Sequence, residues 1–467
     1  MTQLDSGHSA WRVDPSSYVD PHGFVFHTDR GIFRAIFKES ADFYRRMISD
    51  GIAQRLHERF GLVRTELSEL YLADVGCDLV VQHEVVEPAT YCVEWCPSML
   101  RDAARLHLEL SIELASQHMM LQDASPWNVR FQGTRPRFID FTSIVPTQAR
   151  LLWPAYSQFQ SFFMRPLHLA AINKGKVGRA LLYDTINGIT LQDFVTNVGL
   201  GYLLRHSYLA ITPFLDRLLQ TNRKLKKAVR ELAAGQGSEI DVAVRKRFFR
   251  GLLKRLERLE FSGVKDAWSN YYVQVEPGID KQRKLSTVRE LLIRLQPPTV
   301  VDLGCNTGAF SVLAAECGAR VISLDKSEAC IAHLYAYAKR QGLDILPLVV
   351  DLLAPTPPCG FLGNQYPGVI ERARSHMVFC LGLMHHLYIN GRQSLDRIAF
   401  LLSQLGTQFA IFEYIDQRDS NIDLLETVRP IRYSLADVKQ ALGRYFRTIQ
   451  EYDSDRPTRR ILLCGHA

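Results

Sequence analysis

Val300-Val-Asp-Leu-Gly-Cys-Asn-Thr-Gly-Ala-Phe310 is an apolar run that ends in an acid, turns through Gly-x-x-x-Gly and continues as Phe310-Ser-Val-Leu-Ala-Ala-Glu316. This layout predicts a buried strand, a tight turn and a helix N-terminus where backbone can approach a bound group closely. The glycine spacing departs from the dinucleotide G-x-G-x-x-G and from the phosphate-cradling G-x-x-x-x-G-K-[ST]. The residues that follow therefore decide the reading.

Ala319-Arg-Val-Ile-Ser-Leu324 reads as a second strand ending in Asp325, where an acid can accept both hydroxyls of a ribose. Ile345-Leu-Pro-Leu-Val-Val350 ends in Asp351, and His376–Leu383 runs into Met384-His385-His386-Leu387. Gln408–Phe412 ends at Glu413. Short strands alternating with helices predict a doubly wound, mostly parallel sheet with its ligand at the carboxyl ends of the strands.

The stretch from Val300 resembles motif I of the class I S-adenosylmethionine (SAM) methyltransferases. The resemblance implies a Rossmann-like domain with a mostly parallel seven-stranded sheet. It also implies a cofactor set of Asp302, Gly304, Cys305, Asn306, Gly308, Asp325, Lys326, Asp351, Leu352 and Leu381. SAM carries its own leaving group, so the protein's task is to align an acceptor and exclude water. A hydroxyl acceptor is helped by a base; His385 and His386 are the candidates and Glu413 the second choice. Trp268, Tyr271 and Tyr272 are the expected lid or acceptor contacts, since aromatic faces suit a sulfonium.

A second constellation lies upstream, in Leu121-Gln-Asp-Ala-Ser-Pro-Trp-Asn128 and Arg137-Phe-Ile-Asp-Phe141. The spacing resembles the catalytic loop and metal-binding acid of protein kinases and aminoglycoside-type phosphotransferases. That resemblance implies Asp123 as the hydroxyl-orienting acid, with Asn128 and Asp140 as magnesium ligands if ATP binds. Thr90–Trp95 is the expected strand into the hinge, and Ser98–Leu114 the helix before the loop. The glycine-rich phosphate loop is missing; a hairpin, Gly23–Phe37, stands in its place, and Lys38 ends its second strand. Gln122 replaces the usual basic residue, and Phe141-Thr142 lacks the glycine of D-F-G. A capped, self-bonded loop is the plainer reading of Asp123 and Asn128.

Across nearly its whole length the chain resembles the NoeA-like methyltransferases, a group related to a rhizobial nodulation protein. The marks are Asp20-Pro-His-Gly-Phe-Val-Phe26, Leu121–Asn128, Phe138-Ile-Asp140, Trp268-Ser-Asn-Tyr-Tyr272, the methyltransferase motif and Leu383–Ile389. The group implies modification of a carbohydrate or secondary metabolite. Some bacterial O-polysaccharide chain terminators also join a kinase to a methyltransferase, in a different order.

The resulting expectation is a multidomain α+β and α/β chain. Residues 1–234 form a kinase-like domain, with a small lobe and catalytic loop to about 150 and a helical lobe over 151–234. Linker and lid helices span 235–285, and the methyltransferase domain spans 286–467. Three functions follow: O-methylation of a saccharide or small molecule with unit 1–234 as a binding module, a bifunctional kinase–methyltransferase, or a nucleic-acid methyltransferase. The third is motivated by the basic stretches 223–230 and 245–258 within a net charge of +7.

At 467 residues there is length for two or three cores. Residues 1–15 are polar, so no secretory leader is expected there, and no apolar run approaches the roughly 20 residues that span a bilayer. The nine cysteines lack zinc-type pairing, since Cys92 and Cys96 have no matching partners. A reducing cytoplasm is the expected location.

Overall fold

A computed structural model describes residues 2–3, 11–17, 19–72, 75–148, 151–209, 240–261, 281–423 and 432–466. Trp268, Tyr271, Tyr272 and the basic stretch 223–230 lie outside these described residues. The chain divides into two compact units: residues 1–131, 136–262 and 360–366 form unit 1, and residues 132–135, 263–359 and 367–467 form unit 2.

Unit 1 opens with five strands, β1 (Arg12–Val13), β2 (Gly23–Thr28), β3 (Gly31–Phe37), β4 (Thr65–Leu67) and β5 (Cys77–His83). They form an antiparallel sheet in the order β1-β2-β3-β5-β4. Aromatic and β-branched residues suit this pleated surface. Phe26, Phe33, Ala35 and Val80 are buried beneath it. Helix α1 (Lys38–Ser49) follows β3 directly, so Lys38 begins a helix instead of ending a strand.

Helix α2 (Pro97–Ser116) carries proline in its first turn, where a missing N–H costs nothing. It buries Met99, Ala103, Leu106, Leu110 and Leu114, one apolar stripe at helical spacing. The residues before it, Thr90–Trp95, hold no strand but a 3-10 turn over Cys92–Glu94. Glu94 Oε2 accepts the Tyr91 N–H at 3.4 Å, so a local cap outweighs the strand-like pattern. Downstream lie β6 (Met119–Leu121), β7 (Val129–Gln132) and β8 (Arg135–Phe138).

Helix α3 (Val242–Glu257) packs on α2. Arg245, 2% exposed, donates to the carbonyls of Gln148 (2.8 Å), Leu152 (2.9 Å) and Leu151. Arg247, Arg250, Lys254 and Arg258 are exposed. Their i, i+3, i+7, i+11 spacing makes one basic stripe.

Unit 2 begins with α4 (Lys281–Leu295), β9 (Thr299–Leu303), α5 (Ala309–Glu316) and β10 (Arg320–Asp325). Then come α6 (Glu328–Gln341), β11 (Ile345–Val349), β12 (Ser375–Cys380) and α7 (Leu395–Leu405). The chain ends with β13 (Gly406–Ile415), α8 (Leu435–Leu442), β14 (Thr448–Asp453) and β15 (Arg459–Gly465). The seven strands are ordered β11-β10-β9-β12-β13-β15-β14. The sheet is mixed: four pairings are parallel, while β13–β15 and β14–β15 are antiparallel. The direction reverses because β14 returns as β15 through a short turn, which needs no helical crossover. Val300, Val301, Val321, Leu324, Met377, Val378 and Phe379 are fully buried, as strands covered on both faces require.

Candidate functional site

In unit 2 the site grows from the turn between β9 and α5. Gly304 (φ +64°), Asn306 (φ +52°) and Gly308 (φ +87°) all lie in the left-handed region. A Cβ on Gly308 would lie 2.3 Å from Leu334 Cδ1, and one on Gly304 3.0 Å from Leu383 Cδ1, so a side chain at either position would be strained by its φ, and one at Gly308 crowded as well. Asp325, at the end of β10, accepts the N–H of Asn306 and of Ser327, each at 2.8 Å. One carboxylate thus fixes the glycine turn to the neighbouring strand. Ser327 also caps α6, accepting the Cys330 N–H at 3.2 Å.

Asp302, at the end of β9, is 2% exposed. It accepts from Ser311 Oγ at 2.6 Å, and Ser323 Oγ continues the chain to Ser311 at 2.8 Å. Burial pushes its carboxyl up to about 7, against the opposing pull of the Ser311 hydrogen bond. Cys305 is buried and its thiol is held well above its usual range by that burial. Asp351 is exposed just beyond β11 and accepts the Leu353 N–H at 3.0 Å. Leu352 is half-buried, Leu381 buried and Lys326 exposed.

His385 and His386 follow β12 with ring centroids 4.1 Å apart. Burial depresses both, His385 to about 3 and His386 to about 4, so both rings are neutral at pH 7. His385 is 3% exposed and its Nδ1 has no hydrogen-bond partner among the described residues. Glu413 lies within β13 rather than at its end. Its Oε2 meets Lys284 Nζ at 2.6 Å and its Oε1 accepts from Ser454 Oγ at 2.8 Å. Burial opposes its charge, but the positive charges of Lys284 and Arg459 and the hydrogen bonds from Lys284 and Ser454 together hold the carboxyl below its usual value.

In unit 1, Asp123, Asn128 and Asp140 come together with two residues from the sheet side. Arg34, on β3, donates to Asp140 Oδ1 at 3.0 Å, to Asp20 Oδ2 at 3.3 Å and to Thr142 Oγ1. Asn128 Nδ2 donates to Asp140 Oδ2 at 3.2 Å. Burial raises the carboxyls of Asp123 and Asp140. A magnesium ion on Asn128 and Asp140 does not fit this arrangement. The Arg34 guanidinium already lies against both Asp140 and Asp20, so a dication there would meet a fixed positive charge in the place that it needs. Among the described residues, no group of three or more His, Cys, Asp or Glu side chains is arranged to hold a metal.

No protein-family model matches the chain. It is similar to the nodulation protein NoeA of Rhizobium meliloti (strain 1021), at 28% identity over 421 residues, covering 87% of this chain and 85% of that protein. Among solved structures it aligns with SAM-bound magnesium protoporphyrin IX methyltransferase (ChlM) from Synechocystis PCC 6803. That match has 18% identity and a TM-score of 0.30, over 50% of this chain and 100% of the other. The bifunctional kinase-methyltransferase WbdD aligns at 19% identity and a TM-score of 0.28, over 42% of this chain and 46% of the other. No helix among the described residues is long and apolar enough to cross a membrane.

The sequence places Lys284 near the cofactor mouth but does not show its partner Glu413; Ser311 and Ser454 escape sequence reading. Lys284 and Ser454 lie 129 and 41 residues from Glu413, whereas Ser311, on the helix directly after β9, lies nine residues from Asp302. Arg34 carried one signal: a lone charge in Gly31-Ile-Phe-Arg-Ala-Ile-Phe37, where every neighbour is apolar or glycine. A search for lysine passes over it.

Proposed function

We propose that the chain is a SAM-dependent methyltransferase acting on a hydroxyl of a saccharide or small-molecule acceptor, with unit 1 a kinase-like module that binds but does not phosphorylate. The observation that carries this reading is the glycine turn between β9 and α5, locked to Asp325 and free of any Cβ at Gly304 and Gly308. SAM fits it by chemistry: bare backbone for the methionine part, Asp325 for the ribose and Asp351 for the adenine edge. Bound SAM supplies a methyl group on a positively charged leaving group.

The remaining work falls to this chain's residues. Neutral His386 is a hydrogen-bond acceptor for an acceptor hydroxyl, but its depressed pKa makes it a weak base, so orienting the oxygen is its stronger role. Glu413 has both oxygens engaged and acts through position. Kinase-like organisation of unit 1 is supported by the antiparallel sheet ahead of α2 and by the meeting of Asp123, Asn128 and Asp140. Its chemistry is not supported, because Asp140 is already paired. The basic stripe on α3 favours a second reading, an anionic acceptor such as nucleic acid.

Calorimetric titration with SAM and S-adenosylhomocysteine tests the main reading. Saturable one-to-one binding that Asp325→Ala weakens about 10- to 100-fold supports it. No binding to the folded protein removes it. RNA binding that falls steeply with salt would favour the second reading.

A further inference from the structure

We propose that Arg34 is a resident cation of unit 1: its guanidinium does for Asp20 and Asp140 what a divalent metal does elsewhere, and so bars a metal-bound nucleotide. The inference is independent of methyl transfer, which belongs to unit 2.

Asp20 precedes β2 and Asp140 follows β8, yet both carboxylates reach one hydroxyl. Thr142 Oγ1 lies 2.6 Å from Asp20 Oδ2 and 3.4 Å from Asp140 Oδ1. Two carboxylates gathered so closely repel unless a cation lies between them. Arg34 is that cation. It is 7% exposed, and its two terminal nitrogens divide between the acids, one to Asp20 and one to Asp140.

Arginine cannot give up its charge and offers only donors. Its planar fork therefore fills the space between the two carboxylates with fixed positive charge, where magnesium would need their oxygens at roughly 2.0–2.1 Å in octahedral array. The Asn128 amide lies 3.2 Å from the remaining Asp140 oxygen. The charge that a metal would bring to Asp140 is thus already supplied by Arg34. Asp123 adds a third negative group to the same field. Three acids against one arginine leave a surplus negative charge, which also repels a free triphosphate.

If the guanidinium fills a metal's place, removing it should create a metal site. Manganese titration of the full chain, read from the loss of the free-ion electron paramagnetic signal, is the experiment. Wild type should take up no stoichiometric manganese. Arg34→Met should bind one ion per chain at least about ten-fold more tightly, and Arg34→Met with Asp140→Asn should lose it again. Wild-type binding of one ion that Asp140→Asn abolishes overturns the proposal. So does a folded Arg34→Met protein that binds none. If Arg34→Met does not fold, Arg34→Gln and the comparison of wild type with Asp140→Asn decide the matter.

Discussion

Lys284 Nζ lies 2.6 Å from Glu413 Oε2 in a buried ion pair joining the helix ahead of the sheet to the strand β13. Glu413 is fully buried and Lys284 is 9% exposed. Removing Lys284 leaves a buried carboxylate supported only by the Ser454 hydrogen bond and the charge of Arg459, whereas removing both partners leaves only a shape to fill. Lys284→Met should lower unfolding stability by roughly 3–5 kcal/mol, and Lys284→Met with Glu413→Leu should recover most of it. Urea unfolding reads both. A loss below about 1 kcal/mol in the single variant would show that the pair is not isolated from water.

Gly308→Ala tests the turn. At φ +87° a side chain is strained, and this one meets Leu334 as well. Gly318 (φ +93°) is the control, because a Cβ there meets nothing within 4 Å. Both alanine variants should lose roughly 1–2 kcal/mol to backbone strain. Only Gly308→Ala should also lose SAM affinity, by about ten-fold or more, measured by calorimetry.

Asp302 sets a pH dependence with a definite sign. Its folded carboxyl, near 7, lies above its ordinary value. Its contribution to stability is therefore fully present below about pH 4 and is lost as pH rises through 7. Cationic SAM bound nearby favours the ionised form, so binding should release a proton and tighten as pH rises from 6 to 8. Calorimetry in two buffers of different ionisation enthalpy measures that proton. Zero release at pH 6.5 would place Asp302 out of electrostatic reach of the cofactor.

The histidines run the other way. With His385 near 3 and His386 near 4, the unfolded chain binds protons that the fold refuses. Their contribution is present above about pH 6.5 and is lost as pH falls towards 3. Imidazole NMR, assigned with His385→Gln and His386→Gln, should show neither ring titrating above pH 5. An apparent pKa near 6.5 for either would mean that it is hydrated.

The turn at Val300–Phe310 was legible because everything it needs is local: an apolar run, an acid, two glycines at positive φ and a helix. Asp325 was legible for the same reason, as an acid ending a strand. Glu413 was only half legible. Its type and neighbourhood could be read, but apolar residues continue on both sides, so the strand's end and its pairing with Lys284 could not. Nor could the reversed direction of β15, because an apolar strand reads alike in either direction. In unit 1 the acids showed in the spacing, but Arg34 lies about a hundred residues from Asp140, and nothing local marks such a pairing.

Arg245 ties α3 to backbone carbonyls laid down nearly a hundred residues earlier. The chain leaves the ribosome N-terminus first, so α2 and its neighbours are synthesised well before the helix that covers them. Until Glu257 has emerged, the apolar face that will receive Phe249, Leu252 and Leu256 stands open to water. A nascent chain or fragment stopping short of Val242 would present that face as a sticky surface, a substrate for chaperones before it is a finished domain.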